Sequence, residues 1–108
     1  MAVFFIDRFI MPAASRAAFM ERATINRNII KILPGFIEDN FYETQTGDEY
    51  RVVTVAVWKN EEAVANAKSV VLETYRQQGF DMPAMLKRLN IQVERGVYSR
   101  MEKLAGQQ

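Results

Sequence analysis

The sequence contains no cysteine and no histidine, and these two absences exclude more chemistry than any other feature of its composition. Without cysteine there is no disulfide, no thiolate nucleophile and no cysteine-bound zinc or iron–sulfur cluster. Without histidine there is no Ser-His-Asp triad and no histidine-ligated haem. Any acid–base chemistry must therefore use Asp, Glu, Lys, Tyr or water.

Neither a large charge imbalance nor a long apolar run is present. Lys and Arg number 14 against 13 Asp and Glu, a net charge of +1 that gives no strong field to attract nucleic acid or an anionic membrane. No apolar run approaches the ~20 residues of a membrane helix. The apolar residues 3–6 are too few for a signal peptide and are followed by Asp7 and Arg8. We expect a cytoplasmic protein that binds neither nucleic acid nor membrane.

The order of elements indicates one small domain of the α+β class. The 108 residues are 49% apolar, which is ordinary globular composition. The pattern predicts strands at 2–10, 36–44, 50–59 and 90–100, and helices at 12–33, 61–78 and 83–89. Pro12 is expected to open the first helix, Asn60 to cap the second and Gly79 to end it. We predict an ordered core over about 2–100 and a polar tail at 102–108.

The order β-α-β-β-α-β predicts a ferredoxin-like split βαβ fold, a four-stranded antiparallel sheet with helices on one face. The first and third strands, however, are apolar on both faces. Burying each Val, Ile or Phe is worth about 1.5–3 kcal/mol, so the second face also needs a cover. The simplest cover is the sheet of a second copy. We therefore predict a homodimer in which two sheets pack face to face to form an α/β barrel.

Two polar residues interrupt the apolar face of the first helix. Two adjoining stripes of apolar residues define that face, and one of them includes Ala18 and Ile32. Arg22 and Asn26, one turn apart, point into the middle of the face. One interpretation is a structural ion pair between Arg22 and Asp7, the acid among apolar residues on the first strand. The other is a polar patch inside an apolar cavity, which is how small-molecule sites are usually built.

Several aromatic residues can likewise be interpreted as core or as the wall of a ligand cavity. Trp58 ends the third strand on the helix side, where it is either core or a flat wall for an aromatic ligand. Phe9, Phe19 and Tyr75 are expected to contact such a ligand together with Asn26 and Trp58. Lys68, at the edge of the second helix's stripe, is expected to extend to water. No phosphate loop, metal-ligand spacing or nucleophile–base pair is recognisable.

Four short motifs together resemble the antibiotic biosynthesis monooxygenase family of dimeric α/β barrels. They are Asp7-Arg8-Phe9 before Pro12, Pro34-Gly35-Phe36, Val55-Ala56-Val57-Trp58 before Glu61-Glu62-Ala63, and Glu94-Arg95-Gly96-Val97-Tyr98. They span residues 3–98, and their order is specific to the fold rather than to an activity.

The resemblance implies two kinds of chemistry and one non-catalytic alternative. One branch oxidises polycyclic aromatic compounds with O₂ and no cofactor, and Trp58 matches the tryptophan of its pocket. Further relatives are similar to quinol-oxidising enzymes, so we expect oxidation of a small hydroxylated aromatic or quinol-type compound. Arg22, Asn26 and Asp7 are added to this site from the helix and strand patterns and not from the resemblance. The haem-degrading branch pairs an asparagine, this tryptophan and a histidine. Asp7 and Lys68 stand at the first and third positions, so haem degradation is disfavoured. The alternative is a dimeric domain that binds a small apolar or aromatic ligand without catalysis.

Overall fold

The computed structural model describes residues 1–102, and its elements follow the predicted order. The strands are β1 (Val3–Pro12), β2 (Phe36–Thr46), β3 (Glu49–Trp58) and β4 (Gln92–Ser99), and the helices are α1 (Arg16–Ile30), α2 (Glu61–Gln78) and α3 (Met82–Arg88). From residue 103 onward the predicted polar tail lies outside the described residues.

The strands form one antiparallel sheet in the order β2-β3-β1-β4. The central strand β1 therefore pairs with β3 on one side and with β4 on the other. At its middle, Asp7 lies directly opposite Thr54 of β3 and Arg95 of β4. This topology confirms the predicted ferredoxin-like α+β fold.

All three helices pack on one face of the sheet, through two separate groups of buried residues. The first group contains Phe9, Met11, Phe19, Tyr50, Val52 and Ile91, with residues of α3 packed against it. The second contains Val3, Trp58, Val64 and Ala67. Along β1, Phe5 packs against the second group and Asp7 separates it from the first, so the core between helices and sheet is interrupted there.

The start of the first helix differs from the prediction. Pro12 does not open a helix but ends β1, where it pairs with Glu49 in extended conformation. A proline at the end of a strand loses no essential ladder bond. The next residue, Ala13, donates its backbone N–H to the carbonyl of Asp48 at 2.6 Å and so keeps the chain against the sheet. A 3₁₀ turn at Ala13–Ser15 then leads into α1.

Part of the predicted apolar face of α1 is also wrong. Ala18 is exposed, and Ile32 has 78% of its surface in solvent. The helix ends at Ile30, three residues earlier than predicted, so Ile32 no longer follows the helical period. Only Phe19 of α1 is fully buried, because the middle of the helix faces a cavity rather than a packed core.

The predicted ends of the second helix are confirmed. The side chain of Asn60 accepts the backbone N–H of Ala63 at 2.8 Å, as an N-cap does. Gly79 has φ +65°, the left-handed conformation that ends many helices. Within residues 1–102 no helix is both long enough and apolar enough to cross a membrane.

The other face of the sheet carries a continuous set of apolar side chains that no helix covers. Phe4, Ile6, Val53 and Val55 are half-buried there, between the exposed rings of Tyr42 and Tyr98. Charged residues stand beside them, among them Arg8 and Glu94, which form an ion pair across β1 and β4. An apolar surface of this kind is typical of an interface.

Candidate functional site

A cavity of about 670 Å³ lies between the helices and the inner face of the sheet. The seven residues predicted for the site all border it: Asp7, Phe9, Phe19, Arg22, Asn26, Trp58 and Tyr75. Small side chains at Ala23, Ala56 and Ala67 border it as well. Because these positions lack bulk where helix meets sheet, they leave room for a ligand.

Asp7 forms its ion pair with Arg95 and not with Arg22, so the predicted Asp7–Arg22 pair is wrong. Arg95 Nε donates to Asp7 Oδ1 at 3.1 Å, and Nη2 lies 3.5 Å from Oδ2. The cause is the sheet register, which places Arg95 directly opposite Asp7 on the same face. The other predicted feature, a polar patch within an apolar cavity, is present.

The carboxyl of Asp7 is partly removed from water. Its side chain is 13% exposed, against 49% for Arg95. Burial raises the pKa of Asp7, and the charges of Arg95 and Lys68 oppose that shift. A desolvated carboxylate with a raised pKa that borders a cavity is a good acceptor for a ligand proton.

Arg22 lies against two aromatic rings. Its guanidinium carbon is 3.5 Å from the ring centroid of Phe80 and 4.7 Å from that of Tyr75. One terminal nitrogen, Nη2, donates to Gln78 Oε1 at 2.6 Å. The Nε atom is buried and has no hydrogen-bond partner among residues 1–102. Arg22 therefore borders the cavity with one buried donor, Nε, left without an acceptor among the described residues.

Tyr75 and Asn26 link α2 to α1 across the cavity. The Tyr75 hydroxyl donates to Asn26 Oδ1 at 2.8 Å. Burial raises the pKa of Tyr75, and the nearby Arg22 charge opposes the shift. The phenol thus remains protonated, and its oxygen can still accept a hydrogen bond from a ligand.

Trp58 forms one end of the cavity. It is 3% exposed and packs in the second group of core residues, so it belongs to the core and also borders the cavity. The ring of Phe36 meets it edge-on, with centroids 5.4 Å apart and planes at 80°. Trp58 lies four residues along β3 from Thr54, the partner of Asp7. At about 3.3 Å per residue, the backbone positions of Trp58 and Thr54 are roughly 13 Å apart along the strand.

Among the cavity residues that were not predicted as site residues, three have charged or aromatic side chains that contact the predicted ones or lie beside them. Arg95 was missed because it lies opposite Asp7 only through the register of β1 and β4, and antiparallel pairing alone does not fix that register. Phe80 lies in the segment between α2 and α3, which shows no periodicity. Lys68, expected to extend to water, borders the cavity with Nζ 5.3 Å from the ring centroid of Phe5.

No cluster of three or more Asp, Glu, His or Cys side chains that could hold a metal ion occurs within residues 1–102. The chemical groups brought together at the cavity are the partly desolvated carboxylate of Asp7, a second carboxylate at Asp81, several cations, a phenol, an amide and a wall of aromatic rings. This set can bind a flat apolar molecule, orient its oxygen atoms and exchange a proton with it.

Comparison with known proteins gives similarity in structure alone. No protein-family model matches the chain, and no protein of curated function matches it either. Among solved structures, SnoaB, a cofactor-independent oxygenase from Streptomyces nogalater, is 24% identical with a TM-score of 0.68, over 96% of this chain and 97% of its own. Rv0793 from Mycobacterium tuberculosis is 19% identical with a TM-score of 0.70, over 97% and 100%.

A dimeric ferredoxin-like protein from an uncultured marine organism is 11% identical with a TM-score of 0.69, over 96% of this chain and 100% of its own. These likenesses cover nearly the whole described chain. They confirm, at the level of the fold, the resemblance seen in the sequence motifs.

Proposed function

We propose that this chain is a single-domain member of the antibiotic biosynthesis monooxygenase family that oxidises a small hydroxylated aromatic or quinol-type compound with O₂, without metal or organic cofactor. The observation that carries the proposal is the partly desolvated Asp7 carboxylate at a cavity of about 670 Å³ with aromatic walls. The likeness in fold to a protein described as a cofactor-independent oxygenase supports it.

In this mechanism the substrate itself supplies the electrons. Asp7 removes a proton from an activated C–H or O–H group of the substrate, and the positive charge of the cavity favours the resulting anion. The anion gives one electron to O₂, and the substrate radical and superoxide combine to form a carbon–oxygen bond. The proton returns from Asp7 to give a hydroperoxide, which loses water. Overall, a methylene group and one O₂ become a carbonyl group and one water.

The other cavity residues orient the substrate. The Trp58 indole and the paired rings of Phe9 and Phe19, whose centroids are 4.7 Å apart, form flat apolar walls. Asn26 and Tyr75 offer hydrogen bonds to the substrate oxygens. Each of these contacts would hold the reacting carbon near Asp7 while leaving O₂ free to approach.

Oxygen uptake by the metal-free protein tests the proposal. The protein, treated with a chelator, is assayed with a panel of anthrones and quinols. We expect uptake above the spontaneous rate, with a loss of roughly 10²–10⁴-fold in Asp7→Asn, the usual contribution of a general base. Asp48→Asn, an exposed turn residue, is the matched control and retains full activity.

Uptake that is unchanged in Asp7→Asn would refute the role of the carboxylate. A folded protein that binds these aromatic compounds but shows no uptake with any of them would favour the non-catalytic binding domain instead.

We also propose that the chain is a homodimer built through the uncovered face of the sheet. The supporting observations are the apolar side chains of that face and the dimeric state described for a protein of the same fold. Val55→Glu places a charge at the centre of the face and is expected to give a monomer of 12.5 kDa, whereas the native protein has twice that mass. Ala65→Glu, on the exposed side of α2, is the control for light scattering.

A further inference from the structure

The donor edge of the Arg22 guanidinium is only half satisfied. The ring of Phe80 covers one face of the group, with its centroid 3.5 Å from the guanidinium carbon. Nη2 donates to Gln78 Oε1 at 2.6 Å, while Nε, which is buried, has no partner among the described residues. A buried donor without an acceptor is unfavourable, so this geometry is suited to a further acceptor.

The arrangement of the two donors, Nε and Nη2 of Arg22, indicates which acceptor fits them. An amide such as that of Gln78 presents a single oxygen, and here that oxygen accepts from Nη2 and leaves Nε without a partner. A carboxylate brings two oxygens in a plane, at the spacing of two parallel N–H groups of a guanidinium. Gln78 is exposed, so its side chain can leave the guanidinium without disturbing buried contacts.

The charge of the cavity favours the same ligand class. The charged side chains that line the cavity are two acids and four bases: Asp7, Asp81, Arg22, Lys68, Arg76 and Arg95. Arg95 pairs with Asp7, Arg76 with Glu73, and Asp81 caps α3. Within residues 1–102 neither Arg22 nor Lys68 has an acid at ion-pair distance, so two positive charges remain for a ligand.

We infer that the natural ligand is an aromatic carboxylic acid whose carboxylate displaces Gln78 and bonds the donor edge of Arg22. This inference rests on the proposed function in taking the cavity as the substrate site. Arg22 then anchors the substrate at a distance from the reacting carbon, and Lys68, whose charge acts on Asp7, remains to favour the substrate anion.

Binding measurements on two matched probes test the inference. Trp58 is the single tryptophan and borders the cavity, so its fluorescence reports occupancy. The probes are 9-anthracenecarboxylate and the neutral 9-anthracenemethanol. We expect the acid to bind roughly tenfold more tightly, as one additional charge-assisted hydrogen bond would give. Equal affinity for the two probes would overturn the inference.

Variants locate the preference at the donor edge of Arg22. Arg22→Gln is expected to remove the roughly tenfold preference for the acid while leaving the affinity for the alcohol unchanged. Arg22→Lys keeps the positive charge but lacks the two parallel N–H donors of the guanidinium, so it is expected to retain part of the preference that Arg22→Gln loses. Lys59→Met, an exposed lysine outside the cavity lining, is the control and changes neither affinity. An equal loss for both probes in Arg22→Gln would show a purely structural role.

Gln78→Glu keeps the test valid even if Arg22 variants do not fold. It places a carboxylate of the protein where the ligand carboxylate is expected. The variant should bind the acid roughly tenfold more weakly and the alcohol as before. If it binds the acid as the native protein does, the inference is wrong. Because the readout is binding, a protein that prefers the acid but consumes no oxygen would keep this inference and refute the oxygenase proposal.

Discussion

Filling the cavity from the floor of the sheet should stabilise the protein, because the room for the new side chain is already present. Ala56 lies on β3, faces the cavity and contacts the core group around Trp58. Ala56→Leu adds three carbon atoms, worth about 2.4 kcal/mol at ~0.8 kcal/mol per buried methylene. Fixing a leucine side chain costs about 0.5–1 kcal/mol of rotamer entropy, which leaves a net gain of about 1.5 kcal/mol.

Thermal unfolding measures this gain. For a domain of this size 1 kcal/mol corresponds to about 4–8 °C, so the melting temperature should rise by roughly 6–12 °C. The same variant should lose binding of anthracene-sized ligands, because leucine occupies their space. Ala65→Leu adds the same atoms on the exposed side of α2 and should change stability by less than about 0.5 kcal/mol.

A fall in melting temperature for Ala56→Leu would refute the reasoning. Overpacking a closed core costs typically about 1–3 kcal/mol, so a loss of that size would mean that helices and sheet leave no room for a ligand.

Three further predictions concern single residues. Gly35→Ala should lower the free energy of unfolding by about 1–3 kcal/mol in urea titrations, because φ is +83° and the new Cβ would lie 2.5 Å from Ala63 Cβ; an unchanged midpoint would refute this. Asp7→Asn should raise the melting temperature at pH 7. Burial raises the pKa of Asp7, so the stability that its protonated form contributes is lost as pH rises through that pKa. Below about pH 4, where native Asp7 is itself protonated, the difference should disappear; a variant less stable at pH 7 would mean that the Arg95 pair outweighs burial. Asn60→Ala should cost about 1 kcal/mol by removing the N-cap of α2, and a loss below experimental error would contradict the cap assignment.

The fold was predictable because each element carries its own local signal. Short runs rich in Val, Ile and Phe marked the first and third strands, Asn60 and Gly79 marked both ends of α2, and the order of the elements left one small-domain topology. The exact start of α1 was not predictable from Pro12 alone. That proline suits a first helical turn and a strand end equally well, and the hydrogen bond from Ala13 to Asp48, distant in sequence, decides between them.

The sequence predicted seven residues that border the cavity, but it did not predict how they pair. Arg22 and Asn26 stood out because they interrupt an apolar face, and this is a local property of the helix. The residue that forms an ion pair with Asp7 is determined by the register of β1 and β4, and the sequence motif at β4 does not fix that register. Phe80 could not be found, because the short segment between α2 and α3 has no periodic pattern to place its ring over Arg22.

The most direct test of the central claim follows the oxygen atoms themselves. The metal-free protein is given an anthrone under isotopically labelled dioxygen, and the quinone product and the oxygen consumed are measured together. The account predicts one dioxygen consumed for each substrate oxidised, with one labelled oxygen in the new carbonyl group, at a rate that Asp7→Asn lowers to the spontaneous level. Absence of label in the carbonyl group, or a rate that does not exceed the spontaneous one, would contradict it.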